Sequence, residues 1–298
     1  DWENPYTTMN YDAEARIVAE LGKFLMNGSL FRGAKPVLWS VVEKTALAEA
    51  EVEYHDHKSN TIFVRFAVLD ASTSVAAKGA SIIIWTTTPW TIPGNRGLAY
   101  SAGDDYVRIR VTDVAADSLA TAGEEIILAA PLLDSVCQEC GIAGHEVVTA
   151  FKGADLAGTV CSHPFRGQGY DFDVPALAAG FVEMDTGSGF VHIAPGHGFD
   201  DWVLGVENGL AIPETVLGDG VFADNVPLLG GNHVFKADPV VIEELKSANA
   251  LLAAGKIDHS YPHSWRSKAP LIYRNTPQWF ISMESNDLRE TAINAVGE

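Results

Sequence analysis

From about Lys58 onward the chain changes its hydrophobic period, and that change decides its fold class. TIFVRFAVL, SIIIWTT, DYVRIRVT, EIILAA, HEVVTAF and GFVHIA are short β-branched or alternating runs. Gly, Pro, Asp and Ser clusters separate them, the pattern of strands joined by turns. Helical stretches interrupt the series near PLLDSVCQE and DDWVLGVENG. A longer helix is predicted from Asp238 to Ala254, with Asp238 as N-cap, Pro239 in the first turn and Gly255 as the stop. Ahead of the strands, Ile17, Leu21, Phe24 and Leu25 recur at helical spacing between Tyr11 and Asn27. Strands and helices do not alternate regularly enough for a doubly wound sheet. The expected class is therefore a β-rich α+β domain.

A chain of 298 residues suits one large domain or one domain with appendages. No apolar run approaches the ~20 residues that cross a bilayer. The opening DWENPYTTMNY has neither the basic start nor the apolar stretch of a signal peptide. It also lacks an initiator Met, so an internal piece of a longer chain is expected. Three cysteines, an odd number, argue against a disulfide framework and for a reducing cytoplasm. KPVLWSVVEKTALAEAEVEYHDH and YPHSWRSKAPLIYRNTPQWFISM are dense in aromatics and proline, and read as connectors or as surface segments of the same domain.

The net charge of −19 speaks against a nucleic-acid partner for most of the surface. Between Asp113 and Phe235 stand 18 Asp and Glu against Lys152 and Arg166 alone, a contribution of −16. Such a block reads as a solvated surface. Lys256, Arg266, Lys268 and Arg274 fall within nineteen residues, opposed only by Asp258.

Two stretches carry candidate chemistry. TTTPWTIPGN, Thr86 to Asn95, follows the apolar SIIIW run. Three hydroxyls at a strand end, stiffened by two prolines, suit the binding of a water, a carbonyl oxygen or a ribose hydroxyl. A proline-rigid turn with locally satisfied threonines accounts for the same residues. GSGFVHIAPGHGFDD, Gly187 to Asp201, places His192 on a strand, His197 in a turn, and Asp200 and Asp201 at a helix start. Capping explains one carboxylate; a second, turned into a cleft, would hold a cationic amine. The glycines at 187, 189, 196 and 198 would let a ligand approach the backbone. Zinc fits the atom types of His192, His197, Asp200 and Asp201, but their spacing matches no helical ligand pair, and no metal is expected. CQEC, Cys137 to Cys140, lacks a second close pair and reads as core cysteines, with His145, Cys161 and His163 the alternative zinc partners. No GxSxG, P-loop or GxGxxG occurs.

Together these stretches resemble the isoleucyl-tRNA synthetases, specifically their connective-peptide editing insertion. TTTPWTIPGN is similar to that family's threonine-rich motif, and GSGFVHIAPGHGFDD to its second editing motif, with Ser188 where Thr is usual. Valyl and leucyl relatives continue Thr-Thr-Arg-Pro and carry Pro-Ala-His-Asp, so Thr88 and Trp90 favour the isoleucyl branch. DWENPY, KPVLWS, ALAEAEVEY and YPHSWRSK…TPQWF resemble the flanking segments. The resemblance covers nearly the whole chain, and divides it into a helix and connector over 1–57, an editing domain over 58–259 and a return connector over 260–298.

The resemblance implies a β-barrel-like core of mixed strands with peripheral helices. It implies hydrolysis of mischarged valyl-tRNA(Ile), with the remaining synthetase domains and the tRNA acceptor end as partners, no membrane, and a monomeric fragment in the cytoplasm. Thr87, Thr88 and Asp201 would be catalytic, Asp201 by gripping the substrate ammonium. Thr86, Trp90, Asn95, His192, His197 and Asp200 would bind substrate. Neither the HIGH-type nor the KMSKS-type motif is present, so ATP and magnesium belong to the parent enzyme and no cofactor is expected here. A non-catalytic acceptor-end binding module and a threonine-removing valyl-type editor are the competing readings.

Overall fold

Every one of the six apolar runs lies in a strand. The computed structural model describes residues 2–70 and 72–297. In chain order the strands are β1 (Leu30–Ser40), β2 (Thr45–Ala46), β3 (Val52–Ala67), β4 (Ser81–Thr86), β5 (Gly97–Tyr100), β6 (Asp105–Val114), β7 (Glu125–Ala129), β8 (Ile142–Lys152), β9 (Val160–Ser162), β10 (Asp173–Ala178), β11 (Phe190–Ile193), β12 (Leu251–Ser264) and β13 (Ile272–Ile281). The helices are α1 (Tyr11–Met26), α2 (Leu133–Glu139), α3 (Phe199–Glu207), α4 (Val234–Ser247) and α5 (Leu288–Val296).

Two units divide the chain, one of Asp1–Lys35 with Thr276–Glu298, the other of Pro36–Asn275. In the first, Asn10 caps α1 by accepting the Asp12 N–H, and Phe31 stacks on Phe280 at 5.7 Å. None of the residues of α1 is buried.

The second unit is built on a six-stranded sheet, order β12-β3-β4-β7-β6-β8, and a four-stranded sheet, order β11-β5-β10-β9. β4 is covered on both faces, which is why Ile82, Ile83 and Ile84 are all fully buried and the strand reads as a continuous apolar run. Its parallel neighbour β7 adds Ile126 and Ile127, and Phe66, Tyr106, Phe165 and Phe190 fill the common core. The α+β class expected from the sequence is thus realised as mixed sheets with peripheral helices.

One sequence expectation fails here. α4 begins four residues early, capped by His233, whose ring accepts the Phe235 N–H. Asp238 and Pro239 lie inside it, and it stops at Ser247 instead of reaching Ala254. Leu251 to Gly255 are strand, because β12 pairs with β3 along nearly its whole length. Pairing across the sheet overrides the helical pattern of LLAA. The aromatic segments, read as connectors or as surface segments of the same domain, contain strands, β1 at one end and β12 with β13 at the other. The boundaries expected at 57/58 and 259/260 fall inside β3 and β12, where His57 and His259 pair directly.

Candidate active site

β4 ends at Thr86, and Thr88, the residue before Pro89, stands outside the helical region at φ −132° and ψ 69°. A two-turn 3-10 helix, Pro89–Gly94, then leads into β5, and all six of its residues are buried. β11 lies antiparallel beside β5, with His192 opposite Leu98. Past β11 the chain turns through Ala194–Gly198 into α3, whose third residue is Asp201. A cavity of about 320 Å³ opens between these pieces, lined by Thr86, Thr88, Trp90, His192, His197 and Asp201, with Leu38, Tyr261 and Tyr273 across from them.

The two histidines are fixed and uncharged. Asn95 donates to His192 Nδ1 at 3.0 Å and also to the Gly97 carbonyl, which sets the amide's orientation. His192 Nε2–H therefore donates to Thr91 Oγ1 at 2.8 Å, and Thr91 passes its own proton to the Thr88 carbonyl. Burial pushes the His192 pKa down to about 3. His197 donates from Nδ1 to the Tyr273 carbonyl and accepts at Nε2 from the Thr215 hydroxyl at 2.6 Å. Burial again dominates, and its pKa falls to about 4. The Trp90 ring meets His197 edge-on at 5.0 Å. With every ring nitrogen engaged, neither histidine is a base in waiting. Both are walls.

Asp201 differs. The Ala194 N–H donates to its Oδ2 at 2.8 Å. Burial nevertheless raises its pKa to about 6, with the neighbouring Asp200 adding to the rise. At neutral pH the carboxylate is ionised, and it is the one charged side chain on the cavity lining. A chamber with aromatic and aliphatic walls and one half-buried anion suits an ammonium group carrying an aliphatic side chain. Among the described residues no group of three or more His, Cys, Asp or Glu is placed to hold a metal.

The whole chain, residues 1–298, matches the family of class I tRNA synthetases (I, L, M and V). The chain belongs to that family. Within it, the chain is 53% identical to the isoleucine–tRNA ligase of Pelagibacter ubique over 298 residues, all of this chain and 32% of that protein. It is 50% identical to the isoleucine–tRNA ligase of Gluconobacter oxydans, over 99% of this chain and 32% of that protein. The chain thus spans about a third of the length of these curated relatives. The crystal structure of GlLeuRS-CP1 superposes with a TM-score of 0.50 at 11% identity, covering 65% of this chain and 99% of that one. At that identity the likeness speaks for the fold alone.

For a class I synthetase segment, the sequence motifs map onto the site unevenly. Thr86, Thr88, Trp90, His192, His197 and Asp201 line the cavity together. Thr87 faces a neighbouring cavity, also about 320 Å³, that shares Thr88, Trp90 and Tyr261 as walls. Asn95 is fully buried beneath the histidine and touches neither space. Asp200 is exposed and points away. The glycines of the second motif are also required by packing, and Gly198 lines the cavity itself. A Cβ at Gly187, Gly189 or Gly196 would meet Trp85, Ala129 or the Pro213 carbonyl, and one at Gly198 would lie 2.8 Å from the Asp201 carboxyl carbon. Cys137, Cys140 and Cys161 are buried free thiols.

Sequence reasoning missed Thr91, Thr215, Asp238, Tyr261 and Tyr273. Thr91 stands inside the threonine motif, the next hydroxyl after the three singled out. The other four come from distant segments, and no local signal marks them.

Proposed function

We propose that this chain is the hydrolytic editing module of an isoleucine–tRNA ligase and removes valine from mischarged tRNA(Ile) in the cytoplasm. The observation that carries the reading is the pairing of one half-buried, ionised carboxylate with two neutral, immobilised histidine walls around one cavity. Its volume sits at the small end of the roughly 300–1,000 Å³ typical of ligand pockets. Asp201 would grip the α-ammonium of the aminoacyl group, as the family resemblance implies. His192, His197 and Trp90 would bound the side chain.

The chemistry asks little of the protein. Water adds to the ester carbonyl, the bond to the ribose oxygen breaks, and that oxygen takes the proton as valine leaves. Thr88, on the wall shared by the two cavities, and Thr87, on the neighbouring cavity's side, would position the water and the carbonyl, their hydroxyls 3.5 Å apart. Thr86 Oγ1 accepts the Thr88 N–H at 3.1 Å and so sets the loop that presents them. Effective positioning of a water against an activated ester is itself a large contribution to rate. Neither histidine supplies a base, because both ring nitrogens of each are engaged.

A non-catalytic grip on the acceptor end would call for Lys or Arg on the cavity lining, and the lining instead carries a carboxylate. A threonine-removing pocket would need a free polar partner deep inside, where Trp90 and two fully bonded imidazoles stand. Incubating the protein with valyl-tRNA(Ile), threonyl-tRNA(Val) and isoleucyl-tRNA(Ile) tests the reading. Rapid loss of the valyl ester alone is expected; equal loss of all three, or of none, contradicts it.

A further inference from the structure

The 3-10 helix Pro89–Gly94 has an accounting problem at its start. The first N–H groups of a helix have no partner within it, and in a buried helix they must find one elsewhere. Pro89 has no N–H, and the Thr91 N–H reaches the Thr88 carbonyl at 3.1 Å. The Trp90 N–H remains. It donates to Asp238 Oδ1 at 3.2 Å, while Asn60 on β3 donates to Asp238 Oδ2 at 3.0 Å. Asp238 sits within α4, 148 residues further along the chain, and caps this small helix from outside.

Keeping a carboxylate there is costly. Burial raises its pKa, and no positively charged side chain is among the causes of its shift. A residue that serves only to fill space between α4 and the turn would do better as an apolar side chain. The carboxylate's two oxygens instead fix two specific donors, and one of them is the backbone of Trp90, a wall of both the 320 Å³ cavity and its neighbour.

We propose that Asp238 is a positioning residue for substrate selection, holding the Trp90 backbone so that the cavity keeps the width that separates a smaller aliphatic side chain from a larger one. The inference rests on the editing activity proposed above. It acts through Trp90: the indole packs edge-on against His197 and at 6.4 Å against Phe222, so a shift of the Trp90 backbone moves a rigid aromatic wall. Apolar packing of this kind has no tolerance for displacement in small steps, and a wall released on one side opens the pocket.

The test compares Asp238→Ala, Asp238→Asn and Asn60→Ala in the full chain, measuring kcat and KM for deacylation of valyl- and isoleucyl-tRNA(Ile), together with hydrogen exchange at the Trp90 amide. Asp238→Ala leaves a buried N–H without an acceptor, and the preference for the valyl ester is expected to fall about tenfold or more, with faster Trp90 exchange. Asp238→Asn should restore both readouts, because its oxygen accepts the Trp90 N–H and the Asn60 amide rotates to accept from its nitrogen. Asn60→Ala, which keeps the Trp90 contact, should give a smaller fall in the same direction, and stands in if the Asp238→Ala chain does not fold. An equal loss of kcat on both esters with the preference unchanged, or an unrestored Asn variant, would overturn the inference. If the unmodified chain leaves valyl-tRNA intact, the proposed activity fails on its own account. Trp90 exchange then decides the positioning role: faster in Asp238→Ala supports it, and no change overturns it.

Discussion

His192 and Asp201 face the same cavity from the two ends of one strand-turn-helix segment, and their surroundings treat them in opposite ways. The imidazole is bonded at both nitrogens, to Asn95 and Thr91, and burial holds it neutral far below its ordinary range. The carboxylate is fixed by the Ala194 N–H, carries a pKa raised by burial to about 6, and remains an anion at neutral pH. One group has been made all shape, the other all charge. The difference teaches that a small site can divide recognition between parts that do not trade roles. Under the proposed function, the charge would decide whether an aminoacyl group enters, and the walls which one.

Removing the charge should do the most damage. Asp201→Ala is expected to abolish valyl-tRNA hydrolysis with the fold retained, because a desolvated ammonium loses its partner at a cost of about 2–5 kcal/mol. Wild-type rates would reduce the carboxylate to a helix-end residue. The same group predicts a pH profile. Below about pH 6 the carboxyl is protonated and the ammonium loses its partner. Above roughly pH 8 the substrate α-amine itself loses its proton. kcat/KM for the valyl ester should therefore rise through about 6 and fall beyond the amine's range, and a profile flat from pH 5 to 7 would detach Asp201 from the chemistry.

Stability follows with a sign that can be worked out. The folded pKa of Asp201 lies above its usual value, so the native state holds the proton more firmly, and the anion is disfavoured as pH rises through about 6. Asp201→Asn should consequently raise stability at pH 7, by roughly 1–3 kcal/mol, and change it little at pH 4. The histidines run the other way. Their folded pKa values are depressed, so their contribution is complete above pH 6.5 and is lost as pH falls toward 3 or 4. Thermal melts of wild type and Asp201→Asn across this range check both signs.

His192→Ala attacks the shape alone. An over-large pocket forfeits only about 0.8 kcal/mol per unburied methylene, whereas overlap in a rigid one costs roughly 1–3 kcal/mol. The variant should keep valine editing and begin to destroy isoleucyl-tRNA. Gly198→Ala is the mildest change, since its backbone is extended and any residue adopts it. Its methyl would still press on the Asp201 carboxyl group. A several-fold fall in valyl-tRNA hydrolysis with selectivity preserved is expected, a loss of about 1 kcal/mol.

The two sides of the comparison were not equally legible in the sequence. Strand identity was written in β-branched runs, and most of the residues lining the cavity cluster in two contiguous motifs, Thr86 to Asn95 and Gly187 to Asp201. What a side chain does once there was less visible. Asn95 was expected to touch substrate, and its amide is spent beneath His192. Asp200 and Asp201 are adjacent and chemically alike, yet helical geometry turns one outward and one toward the cavity. Asp238 followed by proline has the pattern of a helix start, and the long β12–β3 pairing displaced the helix by several residues. The roles of Asn95 and Asp238 depend on partners 97 to 178 residues away, which no local pattern encodes.

The division of labour is tested most directly by measuring deacylation of valyl- and isoleucyl-tRNA(Ile) side by side for His192→Ala and Asp201→Asn. The expected result is a crossed one: His192→Ala keeps the valyl rate and loses the preference, and Asp201→Asn loses the rate on both esters and keeps the preference. If His192→Ala instead extinguishes hydrolysis while isoleucyl-tRNA stays intact, or Asp201→Asn alters the preference at an undiminished rate, charge and shape are not separated in this site.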